Sequence, residues 1–164
     1  MLTREYLRSV IDYSPDTGEF RWSSARRGVR IGELCGRINN HGYREIGVAG
    51  KLHQAHRLAF LYMTGEMPKN VVDHINGDRA DNRWINLRPA NQSQNMANVG
   101  GRSTNTSGAP GVVWDADRQK WRAQLRVNGK KKNLGRFASF EDARNAVNAA
   151  ARQQWGEFAR WAER

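Results

Sequence analysis

The residues best suited to chemistry in this chain lie between Val71 and Asn98. Asp73 and His74 form an Asp-His pair after two valines, and the loop that follows is dense in asparagine, aspartate, glycine and arginine. Phosphodiester hydrolysis needs an activated water, charge stabilisation at phosphorus and a Lewis acid on the leaving oxygen. A neutral imidazole, whose reference pKa is about 6.5, can take that water's proton near neutral pH. The stretch therefore predicts a metal-assisted nuclease site.

A hard divalent ion such as Mg²⁺ keeps several waters, so one carboxylate and one amide oxygen from the protein are enough to hold it. Asp73 supplies the carboxylate. The asparagine-rich segment further on can be helical, and spacing alone leaves three amides open: Asn91, Asn95 and Asn98. Neighbouring residues of a strand point to opposite sides, so a bend after Asp73 is required to bring His74 to the same phosphate. The turn residues at 76–78 supply one.

The sequence DHINGDRADNRWINLRPANQSQN, residues 73–95, resembles the HNH nuclease motif in the form carried by phage homing and free-standing HNH endonucleases. HRLAF, residues 56–60, precedes it as in that family. The resemblance implies a β-hairpin followed by a helix, folded around one metal ion. It also implies a phage-type or homing enzyme that nicks or cuts double-stranded DNA.

The resemblance assigns a role to each motif residue. It makes Asp73 a metal ligand and His74 the general base. Asn86, the middle motif residue, bridges the loop backbone with its amide and so fixes how His74 points. Asn95 is the second metal ligand, at the last position, where other members have histidine. An amide oxygen there favours Mg²⁺ or Mn²⁺, one ion per site, over zinc.

The remaining loop residues also match that family. Four of them are expected to hold the loop in shape by hydrogen bonds: Asp78, Asp81, Asn82 and Arg83. Arg83, or Arg88, is expected to contact the scissile phosphate, and Arg83 is the one assigned to catalysis. Three interpretations of His56 are open: a support for the site together with Asp81 and Asn82, a phosphate contact, or a hydrogen-bonded structural histidine.

The first third of the chain is predicted to be a β-rich scaffold. Thr3 can cap a short helix, and a hairpin at Ala49-Gly50 precedes a helix that begins near His56 and ends at Gly65. The Gly- and Arg-rich segment between these parts is predicted to be a basic loop system that contacts DNA phosphates. Its assigned residues are Arg26, Arg27 and Arg30.

The last third predicts a three-stranded sheet with one helix. Residues 120–127, KWRAQLRV, alternate between polar or basic side chains and apolar ones. Asn128-Gly129 is a strong hairpin signal, and Ser139 begins a helix whose apolar residues should cover one face of the sheet. The opposite face is left open and positive.

This segment resembles the ethylene-response-factor type of DNA-binding domain, with GVVW, KWRAQLRVNGKKKNLGRF, FEDA and GEFAR carrying the match. The resemblance implies five DNA-facing residues: Arg122, Gln124, Arg126, Lys131 and Asn133. Pro110 stands where the plant domains have a base-contacting arginine, and Val147 replaces a usual tyrosine. The sequence preference of those domains is therefore not carried over.

Together these patterns predict an α+β protein in three parts. Residues 1–100 form the nuclease module with its scaffold, 101–107 a flexible linker rich in small residues, and 108–164 the DNA-binding domain. The competing interpretation is a catalytically silent DNA-binding regulator built on the same modules. Monomer and homodimer both remain open.

The composition favours a polyanionic partner. Twenty-seven Lys and Arg residues against 16 Asp and Glu residues give a net charge of +11, which attracts nucleic acid. Cys35 is the single cysteine, so neither an intramolecular disulfide nor a structural zinc on paired cysteines is expected. The N-terminus carries early charges and no continuous apolar stretch, so the expectation is a cytoplasmic protein of a bacterial or phage-infected cell, with no membrane partner.

Overall fold

The computed structural model describes residues 2–25, 28–99 and 107–163. The predicted mixed α and β class is confirmed, with helices and antiparallel sheets in the same chain. The chain divides into two compact units, Met1–Ala90 and Asn91–Arg164. The predicted phosphate contacts Arg26 and Arg27, and residues 101–106 of the predicted linker, lie outside the described residues.

The first unit begins with helix α1, Arg4–Val10, which Thr3 caps by accepting a hydrogen bond from the Tyr6 amide at 3.2 Å. Strand β1, Ile11–Tyr13, follows directly and pairs antiparallel with β2, Phe20–Trp22. Their inward side chains are buried and form part of the core of this unit.

Three further strands form an antiparallel sheet in the order β3-β4-β5. They are β3, Arg37–Ile38, β4, Arg44–Val48, and β5, Lys51–Gln54. The tight turn between β4 and β5 is confirmed, because Ala49 and Gly50 both have positive φ angles. Helix α2, Ala55–Thr64, then runs to a left-handed Gly65 at φ 89°.

An antiparallel ribbon carries the candidate site. Its strands are β6, Val71–His74, and β7, Leu87–Ala90. The loop between them ends in a single turn of 3-10 helix, Trp84–Asn86. Val72 and Leu87 are buried in the same core as helix α2, so the ribbon is anchored where the Asp-His pair lies.

The second unit contains two helices and a three-stranded antiparallel sheet in the order β10-β9-β8. Its elements are helix α3, Gln92–Val99, strands β8, Val112–Asp115, β9, Lys120–Val127, and β10, Lys130–Phe137, and helix α4, Phe140–Trp155. Two short 3-10 turns, Gly156–Phe158 and Arg160–Glu163, follow α4.

Local sequence accounts for these elements. Asn128 and Gly129 both take positive φ in the β9–β10 turn, and Ser139 caps α4 by accepting from the Asp142 amide at 3.0 Å. Ala123 and Leu125 are buried, as their alternation predicts. Over the described residues, every helix is too short or too polar to cross a bilayer.

Candidate active site

Asp73 lies inside the ribbon opposite Arg88 on the neighbouring strand. The Arg88 Nε donates a hydrogen bond to Asp73 Oδ2 at 2.9 Å, and both side chains are at least nine-tenths buried. The guanidinium therefore compensates the carboxylate charge and fixes its orientation. The sequence analysis gave Arg88 as an alternative phosphate contact, and in the structure Arg88 forms an ion pair with Asp73.

His74 follows on the same strand and is also buried. Its ring lies 5.0 Å from the ring of His56 and 5.9 Å from that of Tyr43, measured between centroids. Burial lowers the pKa of His74, while a side-chain hydrogen bond with Asn82 and three nearby aspartates act in the opposite direction. The net lowering keeps the imidazole neutral near pH 7, the form that accepts a proton.

The Asn86 side chain closes the loop directly after His74. Its Oδ1 accepts from the Asn76 amide at 2.9 Å, and its Nδ2 donates to the Asp81 carbonyl at 2.8 Å. The Asn86 backbone carbonyl accepts from the Ile75 amide at 2.9 Å. These are the loop contacts that the motif resemblance implied for this amide, and they leave the backbone after His74 little freedom.

Asp81 is the second fixed point of the loop. Arg83 donates to both of its carboxylate oxygens, at 2.9 and 2.6 Å, and the Asn76 amide group donates at 2.7 Å. The hydrogen bond from Arg83 is the main reason that the pKa of Asp81 is lowered to about 2. Asp78 contributes a turn, since its Oδ1 accepts from the Ala80 amide.

Asn82 and the early Ser14–Gly18 turn brace the loop from the scaffold. The side chain of Asn82 is fully buried and donates to the Ala80 carbonyl. The backbone carbonyl of Asn82 accepts from the Tyr13 hydroxyl at 2.8 Å. Gly18 lies so close that an added Cβ would come within 2.5 Å of the Arg83 amide nitrogen. This contact requires glycine at position 18.

Sequence reasoning missed Tyr43 and Arg79. The Tyr43 ring contacts the rings of both His56 and His74, and the Arg79 guanidinium lies 5.0 Å above the Tyr43 ring. Tyr43 directly precedes strand β4 of another sheet, so no local spacing links it to the motif. His41 and His53 have ring contacts with none of these residues among the described contacts.

The burial of His56 has a measurable consequence for stability. Burial, then repulsion by His74 and Arg57, lowers the pKa of His56 to about 3. Unfolding restores a pKa of about 6.5, so the unfolded chain binds a proton that the folded chain refuses. The free energy of unfolding should therefore be unaffected by His56 above pH 6.5. Below that pH it should decrease by on the order of 1 kcal/mol per pH unit.

Urea unfolding between pH 7.5 and pH 5 measures this decline. The His56→Phe variant keeps a ring beside His74 but cannot titrate, so its stability should fall less steeply than that of the wild type. Equal slopes for the two proteins would show that His56 does not take up a proton on unfolding.

The proposed metal ligands lie in different units, Asp73 in the first and Asn95 on helix α3 in the second. Asn91, an alternative to Asn95, uses its side-chain oxygen to cap α3 by accepting from the Gln94 amide at 2.8 Å. Among the described residues, no three His, Cys, Asp or Glu side chains are grouped to hold an ion. A carboxylate with an amide oxygen is nevertheless a donor set that suits Mg²⁺ or Mn²⁺.

The five predicted DNA-facing residues of the second unit share one side of the sheet. Arg126 lies opposite Lys131, and Gln124 lies opposite Asn133, in the β9–β10 pairing. Arg122 lies opposite Arg136. Arg136 is not among the five DNA-facing residues that the sequence resemblance implied. Arg126, Lys131 and Asn133 are exposed. In the first unit Arg30 is exposed too, with its backbone amide donating to Glu33.

Comparisons with known proteins agree with the motif. A family model described as HNH endonuclease matches residues 53–97. The chain is 32% identical to protein 3.8 of Escherichia phage T7 over 98 residues, which is 59% of this chain and 80% of that protein. It is 28% identical over 144 residues to an uncharacterized HNH endonuclease of Acanthamoeba polyphaga mimivirus, covering 87% of this chain and 74% of that one.

A solved structure, described as DNA binding and cleavage by the HNH homing endonuclease I-HmuI, aligns with a TM-score of 0.44. The alignment covers 90% of this chain and 78% of that chain at 23% sequence identity.

Proposed function

Because this chain belongs to the HNH endonuclease family of DNA-cleaving hydrolases, we propose that it cuts double-stranded DNA with His74 as general base and a divalent ion at the leaving oxygen. This proposal rests mainly on one observation: the Asn86 side chain holds the loop immediately after His74 by two hydrogen bonds to the loop backbone. A general base must be held within hydrogen-bond reach of its water, and a closed loop provides that restraint.

His74 acts by taking the proton of the attacking water onto its imidazole. Its lowered pKa supports a neutral ring at the working pH. His56 packs edge-on against it and supports its orientation, and Asn82 supports the loop by donating to the Ala80 carbonyl. Asp81 supports the same loop by binding Arg83 and Asn76. The phosphate contact predicted for Arg83 stays a prediction.

Asp73 and Asn95 are proposed to hold the ion, Mg²⁺ or Mn²⁺. When bound, the ion supplies a Lewis acid that stabilises the negative charge of the 3′ leaving oxygen. Arg88 donates to one oxygen of Asp73, and a carboxylate has lone pairs on two oxygens, so the same group can serve a metal as well. One such site acts on one strand, and a double-strand break requires a dimer or two sequential events.

The open side of the C-terminal sheet is proposed to bind the DNA, as its resemblance to the ethylene-response-factor domain implies. Arginine recognises guanine and glutamine recognises adenine by paired hydrogen bonds in the major groove. Gln124 and Asn133 lie opposite each other in the β9–β10 pairing and carry the side-chain amides that suit adenine. The net charge of +11 favours the encounter with DNA.

Replacing both Arg122 and Arg126 by alanine should weaken DNA binding by tenfold or more, because each guanidinium contact is worth about 1–3 kcal/mol. The salt dependence of binding should also flatten, with the slope falling by about one for each phosphate that the protein no longer neutralises. Fluorescence anisotropy with labelled duplexes over a range of salt concentrations measures both effects.

The control removes the same charge from the same unit. Arg118 and Arg144 are ion-paired with Asp115 and Glu141 respectively, outside the predicted face. If the Arg118→Ala, Arg144→Ala protein loses as much affinity as the test variant, the sheet face is not the binding surface.

Cleavage of a selected duplex tests the proposed function. Random-sequence duplexes retained by the full-length His74→Ala protein would supply a substrate, since the target is not known in advance. Wild-type protein with Mg²⁺ should cut or nick that substrate. Binding with both strands left intact would support the alternative, a catalytically silent DNA-binding regulator.

A further inference from the structure

Three arginines lie in the loop that follows His74 or on the strand directly after it, and two of them are paired with carboxylates. Arg83 donates to both oxygens of Asp81, and Arg88 donates to Asp73. Arg79 differs, because within the described part of the chain it forms no ion pair with an acidic side chain. Its positive charge is therefore the one in this loop that no carboxylate neutralises there.

Arg79 is nevertheless held in place. Its Nη1 donates to the His41 carbonyl at 3.0 Å, and its guanidinium carbon lies 5.0 Å from the centroid of the Tyr43 ring. Stacking on an aromatic face restrains a guanidinium without neutralising it. The side chain is exposed, and a guanidinium has five N–H donors. The contact with His41 uses one nitrogen, so the remaining N–H groups can donate to a ligand.

Tyr43 connects this cation to the general base. Its half-buried ring contacts Arg79 and also the rings of His74 and His56. The same ring that packs against the base thus also supports the cation, so the positions of the two groups are linked through one rigid side chain.

From this arrangement we propose that Arg79 contacts the scissile phosphate beside His74, with Tyr43 as the residue that positions it. The proposal rests on the proposed nuclease function. A planar guanidinium matches two phosphate oxygens and stabilises the charge that develops on them during hydrolysis. The sequence resemblance gave such a contact to Arg83, whose guanidinium donates to Asp81 in this structure.

The test compares full-length variants on the duplex selected by the His74→Ala protein. Arg79→Ala should lower kcat by about 10²-fold, the usual cost of losing one donor to a developing charge. Arg79→Lys should recover part of this loss, because lysine keeps the charge but not the paired geometry. Circular dichroism melting of each variant reports whether the fold is intact.

Arg8→Ala is the matched control. Arg8 lies on helix α1 with its guanidinium 4.7 Å from the Tyr62 ring centroid, and it donates to the Tyr62 carbonyl. The control therefore removes the same charge and the same kind of stacked contact at another tyrosine. The proposal is overturned if Arg79→Ala and Arg8→Ala change kcat equally.

The positioning role of Tyr43 is tested by comparing variants that keep and lose its aromatic ring. Tyr43→Leu should lower kcat, and adding Arg79→Ala should lower it little further, because both changes remove one coupled unit. Tyr43→Phe keeps the ring and should lose clearly less kcat than Tyr43→Leu. If Phe and Leu are equally impaired, or if the losses of the double variant simply add, Tyr43 does not position Arg79.

A binding measurement separates this proposal from the nuclease function itself. In the His74→Ala background, which needs no cleavage, Arg79→Ala should reduce the salt slope of DNA binding by about one. A wild-type protein that never cleaves would defeat the proposed function but leave this slope measurable. An unchanged slope would show that Arg79 contacts no phosphate, and would overturn the inference.

Discussion

Replacing His74 by alanine is expected to lower kcat for DNA cleavage by about 10²- to 10⁴-fold, the usual contribution of a positioned general base. His56 contacts the His74 ring, but its pKa is lowered to about 3, so it is too weak a base to replace His74. Affinity for the selected duplex should stay close to that of the wild type, because the imidazole accepts a proton from water and is not part of the proposed DNA-binding surface. Single-turnover cleavage together with anisotropy measures the two quantities separately.

His53→Ala is the appropriate control for this loss. His53 lies on strand β5 in the same unit, partly buried, and has no described ring contact with His74. It should cleave at close to the wild-type rate. A His74→Ala protein that is folded and cleaves as fast as the His53→Ala protein would remove His74 from the mechanism.

Replacing Arg88 by alanine is expected to lower the free energy of unfolding by about 3–5 kcal/mol, the typical cost of breaking a buried ion pair from one side. The reason is that Asp73, with only 4% of its side chain exposed, would lose its guanidinium partner inside the ribbon. Urea denaturation followed by circular dichroism measures the change.

Arg83→Ala provides the comparison, since it breaks an ion pair of similar length with an arginine that is 48% exposed. Such a pair should contribute far less to stability than the buried one because water screens it. If the Arg88 variant is no less stable than the Arg83 variant, the charge of Asp73 does not depend on Arg88 for its compensation.

The hairpins and helix starts were predictable because their signals are local. Asn128-Gly129 supplies the two positive φ angles that a tight turn needs, and Ser139 supplies a capping oxygen for the helix that follows. Ala49-Gly50 shows the same rule with a weaker signal, since alanine there accepts a φ of 51°. Each of these features depends on two to four adjacent residues.

The site was predictable only where the motif is continuous. Asn86 makes the backbone contacts that its motif position implied. Tyr43, Tyr13 and Gly18 reach the same loop from strands and turns far away in the sequence. Such contacts follow from how the scaffold packs, and no spacing within the motif encodes them.

Which arginine pairs with which carboxylate was the hardest feature to predict from the sequence. The sequence places several arginines near the Asp-His pair, but their type alone does not say which of them meets a carboxylate. The cross-strand register sets Arg88 opposite Asp73, and a two-residue separation sets Arg83 beside Asp81. Choosing between a phosphate contact and an internal ion pair therefore required the geometry.

Helix α3 shows how a motif and a compact unit can differ. Its Ser93 hydroxyl accepts from the Trp155 indole at 3.1 Å and its Ala97 is buried, so the helix groups with the C-terminal unit from Asn91 onward. The small-residue stretch after it predicts a linker at 101–107, and the three-part division based on that stretch stays a prediction.

The most direct measurement of metal-assisted cleavage by His74 uses a supercoiled plasmid that carries the selected duplex, incubated with the full-length protein and either Mg²⁺ or EDTA. We expect nicked or linear DNA from the wild type with Mg²⁺, and intact supercoiled DNA both with EDTA and from the His74→Ala variant. Supercoiled DNA that stays intact when bound by the wild type with Mg²⁺, or equal cleavage with and without EDTA, would contradict a metal-assisted nuclease built on His74.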